Sequence, residues 1–373
     1  MMMLEAEIRN LKYKKVVESP LKELGLCSLD EFDLNETPSA FILKVPSEGV
    51  LFAVSKWVSP KRTRSYPYAR VYDTLFKPVA KTVAIIPVVK DEGKGSNTDY
   101  LQWDTVALLS LLNVYVIVAY YSNAKVKKRR KKSGEIIKSL TNQTFDAEFI
   151  REKLRELNSY GASALHWNLK ELERENLEFV INRAKKVYSD LFKRFGVELP
   201  SIKGMDNLLK KLRDGTEAFK NFSRQKAKAA QNREIKTIQP KEALSFLPKV
   251  ALTIKNYLGG YYQFTVDEFD TERCFLIEAK HTNRAKLPSI NDIKDGLLKM
   301  MLYTNLENLK YDGKPCNRWK PILKLTSKKL DKNTFGSSEI LTIVPPRGKE
   351  FFKQLIEEAE LNGFDLIVQG VKR

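Results

Sequence analysis

The sequence predicts an α/β protein in which helices flank a mixed β-sheet. Residues 82–89 and 114–121 are continuous apolar runs rich in β-branched side chains, which is typical of buried strands. Residues 274–281 are apolar until they reach a Glu-Ala-Lys triplet, and apolar residues at helical spacing fill several stretches between such runs. Strands that alternate with helices along a chain indicate the α/β class.

The first half of the chain contains the clearest topological signal. Residues 40–45 and 50–57 predict a hairpin, because two apolar runs flank a turn that contains Pro and Gly. The strand at 82–89, a helix over 99–112 and the strand at 114–121 predict a parallel pair joined by a right-handed crossover.

The remaining elements follow from periodicity and from turn residues. We expect a helix and loop at 1–35, helical structure over 146–195, a polar helix over 206–232, a helix over 240–258, a hairpin over 261–281, a helix over 290–303, strands at 322–326 and 339–344, a helix over 351–361 and a strand at 365–368. The polar helix suggests three parts: an N-terminal α/β region at 1–200, a basic helical linker at 201–234 and a C-terminal core at 235–373.

Composition indicates the kind of partner. The 373 residues carry 65 Lys and Arg against 46 Asp and Glu, which gives a net charge of +19. Such an excess, when clustered, usually indicates nucleic acid as the partner. Three cysteines without CxxC spacing and two histidines argue against a disulfide framework, a zinc site and a histidine-metal nuclease. The sequence contains no 18-residue uncharged apolar run, so we expect a cytoplasmic protein without a membrane partner.

Two basic clusters are the expected DNA-binding surfaces of the N-terminal region. Residues 61–70 mix cations with tyrosines, which suit phosphates and bases; an exposed loop with packed tyrosines is the alternative. Residues 125–132 hold seven cations in eight positions and predict a mobile loop unless phosphates neutralise it. The expected DNA contacts in the two clusters are Lys61, Arg62, Arg64, Arg70, Lys127, Lys128, Arg129 and Arg130.

The predicted hairpin at 261–281 combines charged residues with a buried strand. Glu278 and Lys280 are two residues apart on a strand, so their side chains point to the same face. Buried charges are costly unless they are paired or hold a metal. The pattern therefore predicts a chemical site, and a buried ion pair that serves only packing is the alternative.

The first strand of this hairpin supplies a further carboxylate. With a two-residue turn, Asp267 lies opposite Leu276 and is a diagonal neighbour of Glu278 on the same face. Glu268 and Asp270 then fall on the other face, although a three-residue turn would reverse this parity. We expect Asp267 to belong to the site and keep Glu268 and Asp270 as alternatives.

Asp267, ten intervening residues, Glu278, one residue and Lys280 resemble the active-site signature of the PD-(D/E)XK nuclease superfamily. This superfamily includes type II restriction endonucleases, Holliday-junction resolvases and RecB-type nucleases. The resemblance implies a restriction-endonuclease-like core in which Asp267, Glu278 and the backbone carbonyl of Ala279 hold Mg²⁺. It also implies that Lys280 orients or activates the attacking water. Val266 stands where the family has Pro, and the resemblance covers the hairpin and the helix after it.

The resemblance suggests further residues around this motif. Some members carry an extra acid on the first helix of the core, for which Glu242 is the candidate. Lys294 and Lys299 lie beside the apolar stripe of the helix over 290–303 and are expected to reach DNA phosphates. Lys299 and Tyr303 have the spacing of a Gln and a Tyr that RecB-type nucleases carry after this strand.

A second Glu-x-Lys triplet, at residues 92–94, is a rival site. It lies in a polar loop with two glycines, where side chains are not held as rigidly as on a strand. The loop lacks the GxxxxGK[ST] pattern of a P-loop.

Together these expectations predict a Mg²⁺-dependent endonuclease that cuts double-stranded DNA, resembling a type II restriction enzyme that acts as a homodimer. A divalent cation lowers the pKa of bound water and stabilises charge on the phosphorane, and Mg²⁺ suits hard oxygen ligands. One alternative is a structure-specific nuclease of repair or recombination. The other is a non-catalytic nucleic-acid-binding protein.

Overall fold

The chain forms two compact units. A computed structural model describes residues 3–56, 66–93, 98–130, 134, 136–197, 201–213, 218, 221–222, 225, 247–256, 261–330 and 334–371. Unit 1 comprises Met1–Pro20, Thr63–Phe76 and Lys226–Arg373, and unit 2 comprises Leu21–Arg62 and Lys77–Gln225. Mixed sheets with flanking helices confirm the predicted α/β class.

The elements of the described residues are numbered here in chain order. The strands are β1 (Met3–Ile8), β2 (Lys22–Gly25), β3 (Ala40–Val45), β4 (Val50–Lys56), β5 (Lys81–Pro87), β6 (Val89–Asp91), β7 (Thr98–Tyr100), β8 (Val114–Ala119), β9 (Tyr121–Arg130), β10 (Ile136–Phe145), β11 (Val250–Asn256), β12 (Tyr261–Val266), β13 (Glu268–Asp270), β14 (Phe275–Thr282), β15 (Glu307–Tyr311), β16 (Lys314–Pro315), β17 (Lys320–Ser327), β18 (Thr334–Phe335) and β19 (Asp365–Gly370). The helices are α1 (Tyr66–Thr74), α2 (Trp103–Leu111), α3 (Ala147–Ser159), α4 (Ala164–Glu171), α5 (Arg174–Phe195), α6 (Ser201–Arg213), α7 (Ile290–Tyr303), α8 (Ser337–Ile343) and α9 (Lys349–Asn362).

Unit 1 is built on two mixed sheets. The first has the order β12-β11-β1-β15-β16, with β1 parallel to β11. The second has the order β13-β14-β17-β19-β18, in which β14, β17 and β19 are parallel and the two edge strands are antiparallel. Helix α7 follows β14 along the chain, and β15 and β16 of the first sheet come before the chain returns to the second sheet as β17.

Three predicted elements of unit 1 are wrong. The expected N-terminal helix begins instead as β1, whose Leu4, Ala6 and Ile8 are buried while their neighbours face outward. That alternation is the period-two signal of a strand. The second half of the helix expected over 240–258 is β11, which pairs with β1 and β12. The strand expected at 339–344 is α8, which begins after Gly336.

The helix after the site hairpin is confirmed, including its cap. Ser289 precedes α7, and its hydroxyl accepts a hydrogen bond from the Asp292 amide at 3.2 Å. This bond satisfies one of the amides left unpaired at a helix start.

A buried carboxylate ties the start of the chain to the rest of unit 1. Glu358 on α9 is fully buried and accepts hydrogen bonds from the hydroxyls of Tyr13 at 2.7 Å and Tyr72 at 2.8 Å. It also accepts from the amides of Val16 at 2.8 Å and Val17 at 2.7 Å. Burial, followed by the charge of Glu358, holds the pKa of both tyrosines above the usual value. These bonds hold three segments of unit 1 together.

Unit 2 contains the sheet β2-β3-β4-β5-β8 and the hairpin of β9 and β10. The predicted hairpin of β3 and β4 and the predicted parallel pairing of β5 with β8 are both confirmed. Helix α4 covers the β8 edge with side chains: Trp167 donates to the Val116 carbonyl at 2.8 Å. Asn168 accepts from the Val116 amide at 2.7 Å and donates to the Val114 carbonyl at 2.9 Å, and Glu171 accepts from a further β8 amide.

The two units divide the chain differently from the predicted parts 1–200, 201–234 and 235–373. Unit 1 takes in Met1–Pro20 and Thr63–Phe76, because β1 pairs with β11 and α1 packs against α7. Pairings between residues so distant in sequence leave no local pattern. Among the described residues, no helix combines the length and the apolar character that a bilayer crossing needs.

Candidate functional site: a buried cluster of carboxylates and lysines

A change of sheet positions the first acid. Strand β12 ends at Val266 in one sheet of unit 1, and β13 begins at Glu268 in the other. Asp267 is the single residue between them and is 4% exposed. Its Oδ2 accepts a hydrogen bond from the Ala279 amide at 3.0 Å. The carboxylate of Asp267 is therefore held against the part of β14 that carries the Glu-Ala-Lys triplet.

The hairpin register explains why Asp267 lies on the side of Glu278. Glu268 pairs with Ile277, so the register differs by two residues from the one predicted with a two-residue turn. An even shift preserves the face of every side chain. Glu268 lies on the other side of the sheet, where the Lys324 ammonium is 2.9 Å from its carboxylate.

Asp270 does not approach the triplet either. Its carboxylate accepts hydrogen bonds from the amides of Glu272 and Arg273, each at 3.0 Å. It therefore stabilises the turn between β13 and β14. Of the three acids considered on the first strand, Asp267 is the one that the fold brings to the side of Glu278 and Lys280.

Five side chains form what we call the carboxylate–lysine cluster: Asp267, Glu278, Lys280, Asp295 and Lys299. The Lys280 ammonium is 2.8 Å from Glu278 Oε1 and hydrogen-bonds to Asp295. The Lys299 ammonium donates to Glu278 Oε2 at 2.8 Å. Asp295 and Lys299 are four residues apart on α7, so they share a helix face. The cluster is thus built from β14, α7 and the junction before β13.

Gly296 allows α7 to approach this sheet closely. A Cβ at this position would lie 2.7 Å from the Leu323 side chain and 3.3 Å from Lys280 Cε. A larger residue would require the Leu323 side chain or the helix to shift. Glycine here therefore lets the Leu323 and Lys280 side chains pack directly against α7.

The electrostatics of the cluster keep both lysines protonated. Burial disfavours the charged ammonium, yet the carboxylates of Asp295 and Glu278 hold the pKa of Lys280 above its usual value. The same balance between burial and the Glu278 charge holds the pKa of Lys299 well above its usual value. Burial raises the pKa of Asp295. Because a general base must lose its proton near neutral pH, Lys280 suits orientation and charge stabilisation better than proton abstraction.

The donor set fits Mg²⁺. Within the described ranges, no group of three or more His, Cys, Asp and Glu side chains is arranged to hold a metal ion. Asp267 and Glu278 are two carboxylates, and the Ala279 carbonyl between Glu278 and Lys280 is a third hard oxygen. Mg²⁺ prefers such ligands and keeps several waters, so two side chains are sufficient.

Two of the residues expected to contact DNA are held in ion pairs within unit 1. Lys294 is 7% exposed, and its ammonium is 2.5 Å from Asp73 Oδ1 on α1. Lys299 is engaged by Glu278. Helix α7 packs against α1 as well as against the sheet, so both lysines are engaged inside unit 1 and their contacts with phosphates stay a prediction.

The basic run at residues 125–132 is ordered as strand through Arg130. Lys127, Lys128, Arg129 and Arg130 lie on β9, pair with β10 and are exposed. The expected mobile loop is therefore wrong for these residues, although their exposure leaves them available to a polyanion.

Most of the remaining predicted site residues fall in parts of the chain that the structure does not describe. Lys61, Arg62, Arg64 and Glu242 lie outside the described residues. Arg70 lies on α1 and is partly buried.

The rival Glu-x-Lys triplet at residues 92–94 also lies partly outside the described residues. The Glu92 carboxylate is 3.1 Å from the Lys90 ammonium, and Lys94 is not among the described residues.

Sequence reasoning missed Asp295. An acid next to Gly296 and four residues before Lys299 was the available signal. Tyr303, a further four residues on, is fully buried and its phenol adds to the electrostatic environment of Lys299.

Comparison with protein-family models, with curated proteins and with solved structures finds no match. A function for this chain therefore has to be argued from the geometry and charge of the cluster, together with the spacing of its motif.

Proposed function

We propose that the chain is a Mg²⁺-dependent endonuclease that hydrolyses phosphodiester bonds in double-stranded DNA, with the carboxylate–lysine cluster as its active site. The observation that carries the proposal is the convergence of Asp267, Glu278 and Lys280 on one side of two adjacent strands, where all three are buried. Helix α7 after the strand that carries Glu278 and Lys280 supports it, since the resemblance to the nuclease superfamily implies a helix at this place in the chain. The helix that it also implies before the hairpin is β11 in its second half.

Each member of the cluster has a role in this proposal. Asp267, Glu278 and the Ala279 carbonyl would hold Mg²⁺, which lowers the pKa of bound water and stabilises charge at the phosphorus when it is bound. Lys280, held as an ammonium, donates to the attacking water and offsets negative charge. Asp295 fixes the Lys280 side chain, and Lys299 fixes Glu278.

The hairpin of β9 and β10 supplies a candidate DNA-binding surface on unit 2. Successive side chains of a strand point to opposite faces, so Lys127 and Arg129 lie on one face and Lys128 and Arg130 on the other. A two-stranded ribbon fits the major groove of DNA, where phosphates lie on both sides. Cations on both faces of β9 suit that position.

The proposal predicts an effect on the salt dependence of binding. Replacing Lys127, Lys128, Arg129 and Arg130 with alanine should weaken duplex binding and reduce its slope against the logarithm of salt concentration. Each lost phosphate contact lowers that slope by about 0.9, so four lost contacts lower it by about three to four. Fluorescence anisotropy with a labelled duplex over a range of salt concentrations measures the slope.

A matched variant controls for the loss of net charge. The exposed cations Arg183, Lys186, Lys193 and Arg194 of α5 provide the same two arginines and two lysines on the same unit. Their replacement with alanine should leave the slope almost unchanged. Equal losses in both variants would show a general charge effect and remove the ribbon from the proposal.

Cleavage is tested with the full chain. Plasmid and genomic DNA of mixed sequence are incubated with the protein in Mg²⁺ and in EDTA. Discrete fragments that require Mg²⁺ are expected for a sequence-specific restriction enzyme, whereas preferential cutting of forks or junctions would favour a repair or recombination nuclease. DNA binding that neither needs metal nor leads to cleavage would overturn the catalytic proposal.

One observation favours the non-catalytic alternative. Both oxygens of Glu278 lie 2.8 Å from lysine ammonium groups, as in an ion pair that serves packing. In that case the chain binds nucleic acid through its cations without cutting it. A homodimer would then not be needed to supply two active sites for two strands.

A further inference from the structure

Two thiols that are distant in sequence lie side by side in unit 1. Cys274 Sγ and Cys316 Sγ are 2.7 Å apart. Cys274 ends the connection between β13 and β14, and Cys316 directly follows β16. The wide spacing of the cysteines gave no indication of a pair, because their approach depends on the tertiary fold.

The backbone fixes both cysteines at this meeting point. The Cys316 amide donates to the Leu309 carbonyl of β15 at 2.8 Å. The Lys320 amide, at the start of β17, donates to the Cys274 carbonyl at 3.4 Å. Cys274 has a φ of 55°, in the left-handed region that residues other than glycine rarely adopt. The thiols are therefore brought together by hydrogen-bonded chain segments as well as by side-chain rotation.

We propose that Cys274 and Cys316 are a redox-active pair that closes to a disulfide when it meets a small-molecule disulfide. Cys274, which is partly exposed, attacks the oxidant, forms a mixed disulfide and releases one small thiol. Cys316 then attacks the Cys274 sulfur and displaces the second small thiol, which takes up the proton. Two protein thiols are thereby oxidised, and the small disulfide is reduced to two thiols.

The order of attack follows from the surroundings of each sulfur. Cys316 is 6% exposed, so an oxidant reaches Cys274 first. Burial, followed by the hydrogen bond to Cys274, raises the pKa of Cys316 to about 12 and keeps it as a thiol. The thiolate is the attacking species, so Cys274 attacks first and Cys316 acts in the intramolecular step, after losing its proton beside the mixed disulfide.

Formation of the Cys274–Cys316 disulfide would constrain β14, the strand that carries Glu278 and Lys280. The bond would tie the residue before β14 to the segment that leads into β17. This proposal does not depend on the nuclease assignment, since it concerns only the chemistry of the two thiols.

The test uses the full chain treated either with oxidised glutathione or with dithiothreitol, followed by peptide mapping without reduction. Cys27 is exposed and serves as an internal control for the oxidant. We expect glutathione on Cys27 and a direct link between Cys274 and Cys316, neither of which retains glutathione. Closure should also raise the thermal midpoint by roughly 5–10 °C.

Two variants define the mechanism. Cys316→Ser should trap glutathione on Cys274, whereas Cys27→Ser should leave the link unchanged. If Cys27 reacts while Cys274 and Cys316 remain thiols, the proposal is wrong. It is equally wrong if Cys274 in the unaltered chain retains glutathione beside a free Cys316.

Discussion

Replacing Lys280 with methionine is expected to slow Mg²⁺-dependent cleavage of duplex DNA by about 10²–10³-fold, the usual effect of removing one donor that stabilises developing charge. Methionine keeps the length and much of the packing of the lysine but cannot donate to the attacking water. It also leaves Asp295 and Glu278 without an ammonium that both of them contact. Single-turnover cleavage at saturating protein measures the chemical step separately from DNA binding.

Lys324→Met is the matched control for this variant. Lys324 also lies in the β13–β14–β17 sheet and pairs with a buried acid, Glu268, but on the other side from Lys280. Both variants should destabilise unit 1, because each leaves a buried carboxylate without its partner. Only Lys280→Met should reduce cleavage once both proteins are shown to be folded. Equal losses of activity would indicate a structural role for Lys280, and unchanged cleavage by Lys280→Met would remove it from the active site.

Glu358→Ala is expected to lower the free energy of unfolding by about 3–5 kcal/mol, the largest effect on stability that we predict, because several buried donors lose a charged acceptor. The substitution leaves the hydroxyls of Tyr13 and Tyr72 and the amides of Val16 and Val17 without their shared acceptor. Each buried donor that loses its acceptor is costly. Denaturant unfolding followed by circular dichroism measures the change.

Two further variants separate this effect from general damage to α9. Glu357 precedes Glu358 on the same helix and is exposed, so Glu357→Ala should change stability by less than about 0.5 kcal/mol. Tyr72→Phe removes one of the donors and should cost about 1 kcal/mol. A Glu358→Ala protein as stable as the Glu357→Ala protein would show that the carboxylate is dispensable.

The pattern of apolar and capping residues in the sequence predicted those elements whose structure depends on residues close to one another in the chain. The β5–α2–β8 crossover and the capped helix α7 follow from apolar periodicity and from Ser289. The start of the chain was wrongly predicted as a helix, because β1 pairs with β11 and β15, which are distant in the sequence. The basic run of β9 was misread because charge composition alone does not reveal the pairing with β10.

The same distinction applies to the site. The shared face of Asp267 and Glu278 was predictable because strand parity survives an even shift of register. The partners of the cluster were not predictable in this way. Nearly the whole circumference of α7 is buried, including Lys294, Asp295 and Gly296, whereas the apolar stripe in the sequence places Lys294 at the edge of the buried face. The contact of Asp295 with Lys280 depends on the packing of α7 beside β14, which no local pattern in the sequence shows.

The cover that α4 provides over β8 limits how copies of this chain can assemble. An open sheet edge invites a neighbouring molecule to add a strand, which leads to filaments or to dimers with a continuous sheet. At β8, the backbone groups of Val114 and Val116 that would recruit such a strand already bind Trp167 and Asn168. Self-association through this edge would first require α4 to detach. A dimer of this protein is therefore expected to form away from the β8 edge, which stays closed.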